Sequence, residues 1–347
     1  MKFPQYARQF RIKATNAGFS EDNIQRCLKY AEPLLTKNLP IIYNTTNLAA
    51  LVAYKKEYLK NAASDPKFFY RSFLVKKKNG KFRRINEPLP SLKEIQLWIL
   101  NQILYTQKVS KFAKAYIKSR SLIDNVKLHV GKEKVLNLDL EDFFPSIKRE
   151  YVEQIFSRMG YSSNVSNLLS KLCTLNESLP QGAPTSPYLS NLYMINIDES
   201  IATYCLPKNI RFTRYADDLA FSGTFDEIEL INFVEQTITK YHLKLNPEKT
   251  QVMKRNVRQI VTGIVVNTKM QTPRASRDKI RLEVYYLKKY GLNSHLEHTK
   301  NTKANYILHL AGKINYALSL NPDDEDLQKY SEYLKQFKHD DKTEQTE

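Results

Sequence analysis

Tyr215-Ala216-Asp217-Asp218 places two adjacent carboxylates between Arg211-Phe212-Thr213-Arg214 and Leu219-Ala220-Phe221-Ser222-Gly223. The pattern predicts strand, tight turn, strand, with the Asp pair at the tip. Clustered acids repel, and a divalent cation relieves the repulsion because hard cations take carboxylate oxygens. An ordinary Asx-rich hairpin turn shares the local pattern, so the pair alone decides nothing. A second segment shifts the balance. Val135-Leu136-Asn137-Leu138-Asp139-Leu140 alternates with period two. Leu136, Leu138 and Leu140 share one face, the expected core face, and Asn137 and Asp139 share the other. A strand carrying Asp139 beside a hairpin carrying Asp217 puts three carboxylates on one sheet surface. Two Mg²⁺ ions can then be held roughly 3.5–4 Å apart, one activating an attacking oxygen and one stabilising a leaving oxygen. That is the chemistry of nucleotidyl transfer.

The elements around these acids come from periodicity and turn signals. Residues 1–65 are helical in pattern and suggest no chemistry. Phe68 to Val75 is strand-like, and Lys76 to Arg84 carries six basic residues and no acid around Asn79-Gly80, a strong hairpin signal. Ser91-Leu92-Lys93-Glu94 after Pro90 reads as a capping box opening a helix with Leu92, Ile95, Ile99 and Ile103 on one face and Trp98 on its flank. Ser186-Pro187 reads as N-cap and first helical residue, followed by Leu189, Leu192 and Ile195. Ile228, Ile231, Val234, Ile238 and Tyr241 mark another helix, ended by the turn Asn246-Pro247-Glu248-Lys249-Thr250. Gln259 to Val266 is β-branched and reads as a strand. Ile307, Leu310, Ile314 and Leu318 form a helical face that Pro322 stops.

The chain has 347 residues and a net charge of +18, which points to a polyanionic partner, since Lys and Arg contacts to phosphates release counterions. No convincing basic amphipathic helix with lipid-facing aromatics is present, no apolar run approaches the ~18 residues of a spanning helix, and the N-terminus lacks a signal-peptide core. A cytoplasmic protein with no membrane partner is expected. Cys27, Cys173 and Cys205 have neither metal nor disulfide spacing and are expected to be buried thiols. His295 and His298 lack a carboxylate or Cys to complete a metal site and are expected at the surface or facing RNA.

Asp139 with Phe143-Phe144, then Leu179-Pro180-Gln181-Gly182-Ala183-Pro184-Thr185-Ser186-Pro187, then Tyr215-Ala216-Asp217-Asp218, resembles a reverse transcriptase palm in order and spacing. The resemblance covers roughly Phe73 to Pro322. It implies an α+β right hand. Residues 1–134 would be N-terminal helices and fingers, 135–268 palm with fingers elements interleaved around 150–190, 269–337 a small helical thumb, and 338–347 a disordered tail. It implies that Asp139 and Asp217 bind two Mg²⁺ ions, with Mn²⁺ a possible substitute, the Leu140 carbonyl assisting and Asp218 contributing less. Lys81 and Arg83 of the basic hairpin would hold the incoming deoxynucleoside triphosphate, with Gln181 and Gly182 close to it. Phe144, five residues after Asp139, would be the aromatic gate against a ribose 2′-OH. Lys249 resembles the lysine that protonates pyrophosphate; a plain solvent-exposed lysine is the alternative.

Two further motifs resemble those of retron reverse transcriptases. Asn125-Val126-Lys127-Leu128-His129 is similar to the Asn-Ala-x-x-His motif, with Val126 in place of Ala. Val261-Thr262-Gly263 is similar to the motif that distinguishes retron enzymes. By this resemblance Asn125 and His129 would lie near the priming region. Val261, Thr262, Gly263 and the thumb residues Lys288, Lys289 and Lys303 would contact a cognate structured non-coding RNA. From Gln271 to Leu320 there are nine Lys/Arg and three acids. The resemblance implies priming from a 2′-OH, an RNA-linked single-stranded cDNA, and antiphage defence with a separate effector protein. The alternatives are a stand-alone defence reverse transcriptase without the branched product, and an RNA–DNA scaffold restraining a toxic partner. After the thumb, too little sequence remains for an RNase H or endonuclease domain.

Overall fold

The structure is a computed structural model, and it describes residues 2–76, 80–300 and 305–337. In chain order the elements are α1 (Phe3–Asn16), α2 (Glu21–Thr36), α3 (Thr45–Val52), α4 (Lys56–Ser64), β1 (Tyr70–Lys76), β2 (Phe82–Pro88), α5 (Pro90–Gln102), α6 (Leu122–Val126), β3 (Lys134–Asp139), α7 (Phe143–Ser146), α8 (Arg149–Met159) and α9 (Ser163–Cys173). There follow α10 (Ser186–Tyr193), α11 (Ile195–Cys205), β4 (Arg211–Tyr215), β5 (Asp218–Gly223), α12 (Glu227–Thr239), β6 (Gln251–Lys254), β7 (Ile260–Val261), β8 (Ile264–Val265), α13 (Arg274–His298), α14 (Tyr306–Leu320) and α15 (Glu325–Lys335). This is the expected α+β class. The chain forms two compact units, one of residues 1–120, 139–204 and 231–246, the other of 121–138, 205–230 and 247–347.

In the first unit, α1 and α2 close over Ala14, Ile24 and Leu28, with Phe3, Tyr6 and Phe10 packed against them. β1 and β2 pair antiparallel from Tyr70↔Pro88 to Lys76↔Phe82. The expected Asn79-Gly80 turn is half visible: Gly80 has φ +82°, and Asn79 lies outside the described residues. α5 buries Leu92, Ile95 and Ile99 as its periodicity requires, and Ile103 beyond its end is buried too. The capping box at Ser91 is not formed. The helix starts at Pro90, whose fixed φ suits the first turn, and its cap residue is Leu89, two residues before Ser91 and without a side-chain bond. A one-residue displacement occurs at α10, where Thr185 is the cap residue and Ser186 already lies in the helix. A true capping box closes at Ser121 and Asp124.

The second unit holds a four-stranded sheet in the order β4-β5-β3-β6. β3 is therefore an inner strand. Its expected one-sided core is corrected to burial on both faces: Val135, on the Asn137 and Asp139 side, is as buried as Leu136. The expected single strand from Gln259 to Val266 is a hairpin. Thr262 and Gly263 have φ +45° and +84° between the paired residues Val261 and Ile264, the signature of a type I′ turn. Val126, Val135, Ala220, Met253, Val261, Ile264 and Val266 form one core, so the Val found in place of Ala at 126 is taken up by packing. The expected helix face at Ile228 is also displaced: Ile228 is exposed, and Leu230, Val234 and Ile238 are buried. α13, α14 and α15 share a separate core of Ile280, Val284, Leu287, Leu310, Ile314, Leu327 and Leu334. Asp324 caps α15 through the Leu327 N–H, a helix the sequence reading did not anticipate.

Candidate active site

β4 and β5 pair from Arg211↔Ser222 to Tyr215↔Asp218, leaving Ala216 and Asp217 as the two-residue turn. Ala216 has φ +60°, and Asp217 is not among the residues with positive φ. Positive φ at the first central residue alone is the pattern of a II′ turn, which usually takes Gly. The Arg214 side chain, fully buried, donates from Nη1 to the Ala216 carbonyl at 3.1 Å. Asp217 thus sits at a held turn and Asp218 opens β5.

Asp139 closes β3, the sheet neighbour of β5, and is 5% exposed. Its carbonyl accepts from the Asn246 N–H at 2.8 Å, and the Glu141 N–H donates to the Lys244 carbonyl at 2.9 Å. These bonds flank the antiparallel bridge Leu140↔Leu245. Successive carbonyls alternate in direction along extended backbone, so the Leu140 carbonyl points away from residues 244–246. Among the described residues, no group of three or more His, Cys, Asp or Glu is arranged to hold a metal ion. A Mg²⁺ site does not require one, because Mg²⁺ is bound through one or two carboxylates, water and substrate phosphates rather than an all-protein cage. The carboxylates of Asp139 and Asp217 and the Leu140 carbonyl are hard oxygen donors, the kind of ligand Mg²⁺ takes.

The short helix α7 follows Asp142, which is in the left-handed region at φ +44°. It buries Phe143 and leaves Phe144 half-buried. The Phe144 ring lies 5.4 Å from Phe143 and 6.4 Å from Tyr116. Tyr116, which no sequence signal singled out, is partly exposed and has φ +63°. The loop bearing Gln181 and Gly182 is fixed to β2: the Asn86 N–H donates to the Gln181 carbonyl at 2.7 Å. Gly182 has φ +128°, and a Cβ there would lie 2.6 Å from the Asn86 carbonyl oxygen. Lys81, Arg83 and Lys249 are exposed.

Asn125 and His129 are buried. His129 bridges β4 and β5, with Nε2 2.8 Å from Thr213 Oγ1 and Nδ1 2.7 Å from Ser222 Oγ. Asn125 Nδ2 donates to Thr262 Oγ1 at 3.2 Å. The two motifs form one structural unit: one braces the hairpin that carries the Asp pair and the turn that carries Thr262 and Gly263. Val261 is buried as well, whereas Thr262 and Gly263 reach the surface. Gln259, which the reading passed over, donates its side-chain amide to the carbonyls of Lys132, Glu133 and Met253.

Lys288 lies 4.8 Å from the Tyr333 ring centroid, and Lys289 lies 5.1 Å from that of Tyr290. Lys303 lies outside the described residues, as does the expected tail 338–347. His295 is not a surface residue: it is buried, with Nε2 2.9 Å from the Tyr306 hydroxyl. Cys173 and Cys205 are buried free thiols as expected, whereas Cys27 is half-buried. No helix among the described residues is long and apolar enough to cross a membrane.

Residues 75–271 match the family described as reverse transcriptase (RNA-dependent DNA polymerase). The retron Ec86 reverse transcriptase of Escherichia coli is 32% identical over 267 residues, 76% of this chain and 83% of that protein. The retron Mx65 reverse transcriptase of Myxococcus xanthus is 28% identical over 348 residues, 93% of this chain and 79% of that protein. Among solved structures, telomerase from Candida albicans with a telomeric RNA fragment aligns at a TM-score of 0.45 and 11% identity, covering 76% of this chain and 61% of that one.

Proposed function

This chain belongs to the retron reverse transcriptases, RNA-directed DNA polymerases with the right-hand polymerase fold, and from that premise we propose how its residues do the work. Reverse transcriptases use divalent metal ions. We assign residues 1–134 to N-terminal helices and fingers, 135–268 to the palm and 269–337 to the thumb. Asp139 and Asp217 hold two Mg²⁺ ions, with the Leu140 carbonyl assisting and Asp218 contributing less. When bound, the metals supply charge for the attacking 3′-oxygen and the leaving pyrophosphate. The observation that carries this reading is the placement of Asp139 at the end of β3, of Asp217 in the turn before β5 and of Asp218 at the start of β5, β3 and β5 being neighbouring strands of one sheet.

The other side chains act on the substrate by position. Lys81 and Arg83 neutralise the triphosphate of the incoming deoxynucleotide. Gln181 and Gly182 present backbone to it. Phe144 occludes the space of a ribose 2′-OH, and Lys249 stands ready to give a proton to the departing pyrophosphate. Template and primer are parts of a cognate structured RNA, the first nucleotide is added to a 2′-OH within it, and the product is single-stranded DNA linked to RNA by a 2′–5′ branch. Such a product fits a role in antiphage defence with a separate effector.

Extension of a primed RNA template in Mg²⁺ tests the chemistry. Asp217→Asn keeps shape and removes charge, and extension is expected to collapse. Wild-type rates in that variant would sink the assignment. Coexpression with the RNA encoded beside the gene tests the product. Debranching should release the DNA from its RNA, and finding only unlinked linear DNA would favour a stand-alone defence enzyme.

A further inference from the structure

α13 is broken at Gly291, whose φ of +75° and ψ of +171° are not helical. Around the break, Tyr286, Tyr290, Ser294, His295 and His298 line a cavity of about 410 Å³, within the roughly 300–1,000 Å³ of small-ligand pockets. The Tyr286 ring is nearly parallel to Tyr290, at 6.0 Å and 23°, and to His295, at 6.5 Å and 21°. His295 is a fixed wall. Its ring is tied to the Tyr306 hydroxyl at 2.9 Å, and its carbonyl accepts from the Thr299 hydroxyl at 2.7 Å. Tyr286 and Tyr290 are 38% and 52% exposed, and the core shared by α13, α14 and α15 does not include them.

The surroundings are cationic. α13 carries six Lys/Arg and three acids, and Lys289 lies over both Tyr285 and Tyr290. Flat aromatic faces beside a cation are what an unstacked base and its phosphate require. A paired duplex offers no free base face, whereas loops and bulges of structured RNA do. We propose that this cavity takes one unpaired base of the bound RNA, stacked on Tyr286 and Tyr290, with Lys289 near the adjoining phosphate. The proposal rests on the reading of the chain as an RNA-directed polymerase and adds a recognition site that uses none of the acids that carry the chemistry.

Two hairpin RNAs of equal stem length test it, one with a single bulged 2-aminopurine and one fully paired. The wild-type protein should bind the bulged RNA roughly tenfold more tightly and quench its fluorescence. The double variant Tyr286→Ala/Tyr290→Ala should lose both the preference and the quenching. Tyr290→Phe should keep both, because the ring remains. Equal wild-type affinity for the two RNAs would overturn the proposal, as would quenching that survives in the double alanine variant. Extension of oligo(dT) on poly(rA) by the wild-type protein reports on polymerisation separately. A protein that polymerises and shows no bulge preference refutes the pocket alone.

Discussion

The Arg214 guanidinium donates to the Ala216 carbonyl at 3.1 Å, so a buried cation grips the turn that presents Asp217. Ala216 has positive φ, a conformation that costs a non-glycine residue about 1–2 kcal/mol. The clamp opposes relaxation of that turn. Arg214→Lys keeps the charge and loses the planar fork. Primer extension is expected to fall at least tenfold while far-ultraviolet circular dichroism is retained. Ala216→Gly removes the strain and should leave the melting temperature unchanged or higher. Full activity in Arg214→Lys would show that the turn holds itself.

Gly182 is required by both its φ and the nearness of β2. In Gly182→Ala the new Cβ meets the Asn86 carbonyl, and either the loop or the strand must shift. The strain is expected to cost about 1–3 kcal/mol, and the KM for deoxynucleotides should rise. Gly263→Ala is the control, since φ there is also positive and no atom lies within 4 Å of the added carbon. An unchanged KM in Gly182→Ala would separate this loop from the nucleotide.

Phe144 discriminates by occupied volume. Phe144→Ala should admit ribonucleotides and lower the preference for deoxynucleotides by ten-fold or more in competition assays. Tyr116→Ala, which removes one of the rings flanking Phe144, should lower it less. Unchanged selectivity in Phe144→Ala would mark that ring as packing only.

Lys288 and Lys289 should each contribute to phosphate contact. Replacing both with Ala is expected to flatten the plot of log affinity against log salt by about 2, since each neutralised phosphate adds slightly under one unit. An identical slope would place the RNA backbone on another surface.

Cys173 sets part of the alkaline limit of the fold. Burial pushes its thiol, and that of Cys205, up to about 12, against about 8.5 in an unfolded chain. A folded-state pKa above the unfolded value means that the stability contribution is fully present below about pH 8.5 and is lost as pH rises toward 12. The melting temperature should be flat from pH 7 to 8 and fall from 8.5 to 10. Cys173→Ala should make that fall shallower. An unaltered slope would assign it to other groups.

The acids, the apolar alternation around Asp139, the Gln181-Gly182 loop and the helix faces at Ile95 and Leu310 were legible in the sequence, because each depends on residue types at fixed local spacing. The cap positions were misplaced, by two residues at α5 and by one at α10, since a proline suits more than one position of a first turn and backbone direction chooses among them. What only the tertiary structure decided concerns partners distant in sequence. The hydrogen bonds of His129 to Thr213 and Ser222 make its ring a brace across two strands. The bond from Asn125 to Thr262 joined motifs 137 residues apart. The buried Arg214 at the turn and the aromatic cavity at the Gly291 break have no local signature. A strand or helix is encoded by its own period, whereas the hydrogen bonds and ring contacts that give a polar side chain its role come from chain segments that only folding brings together.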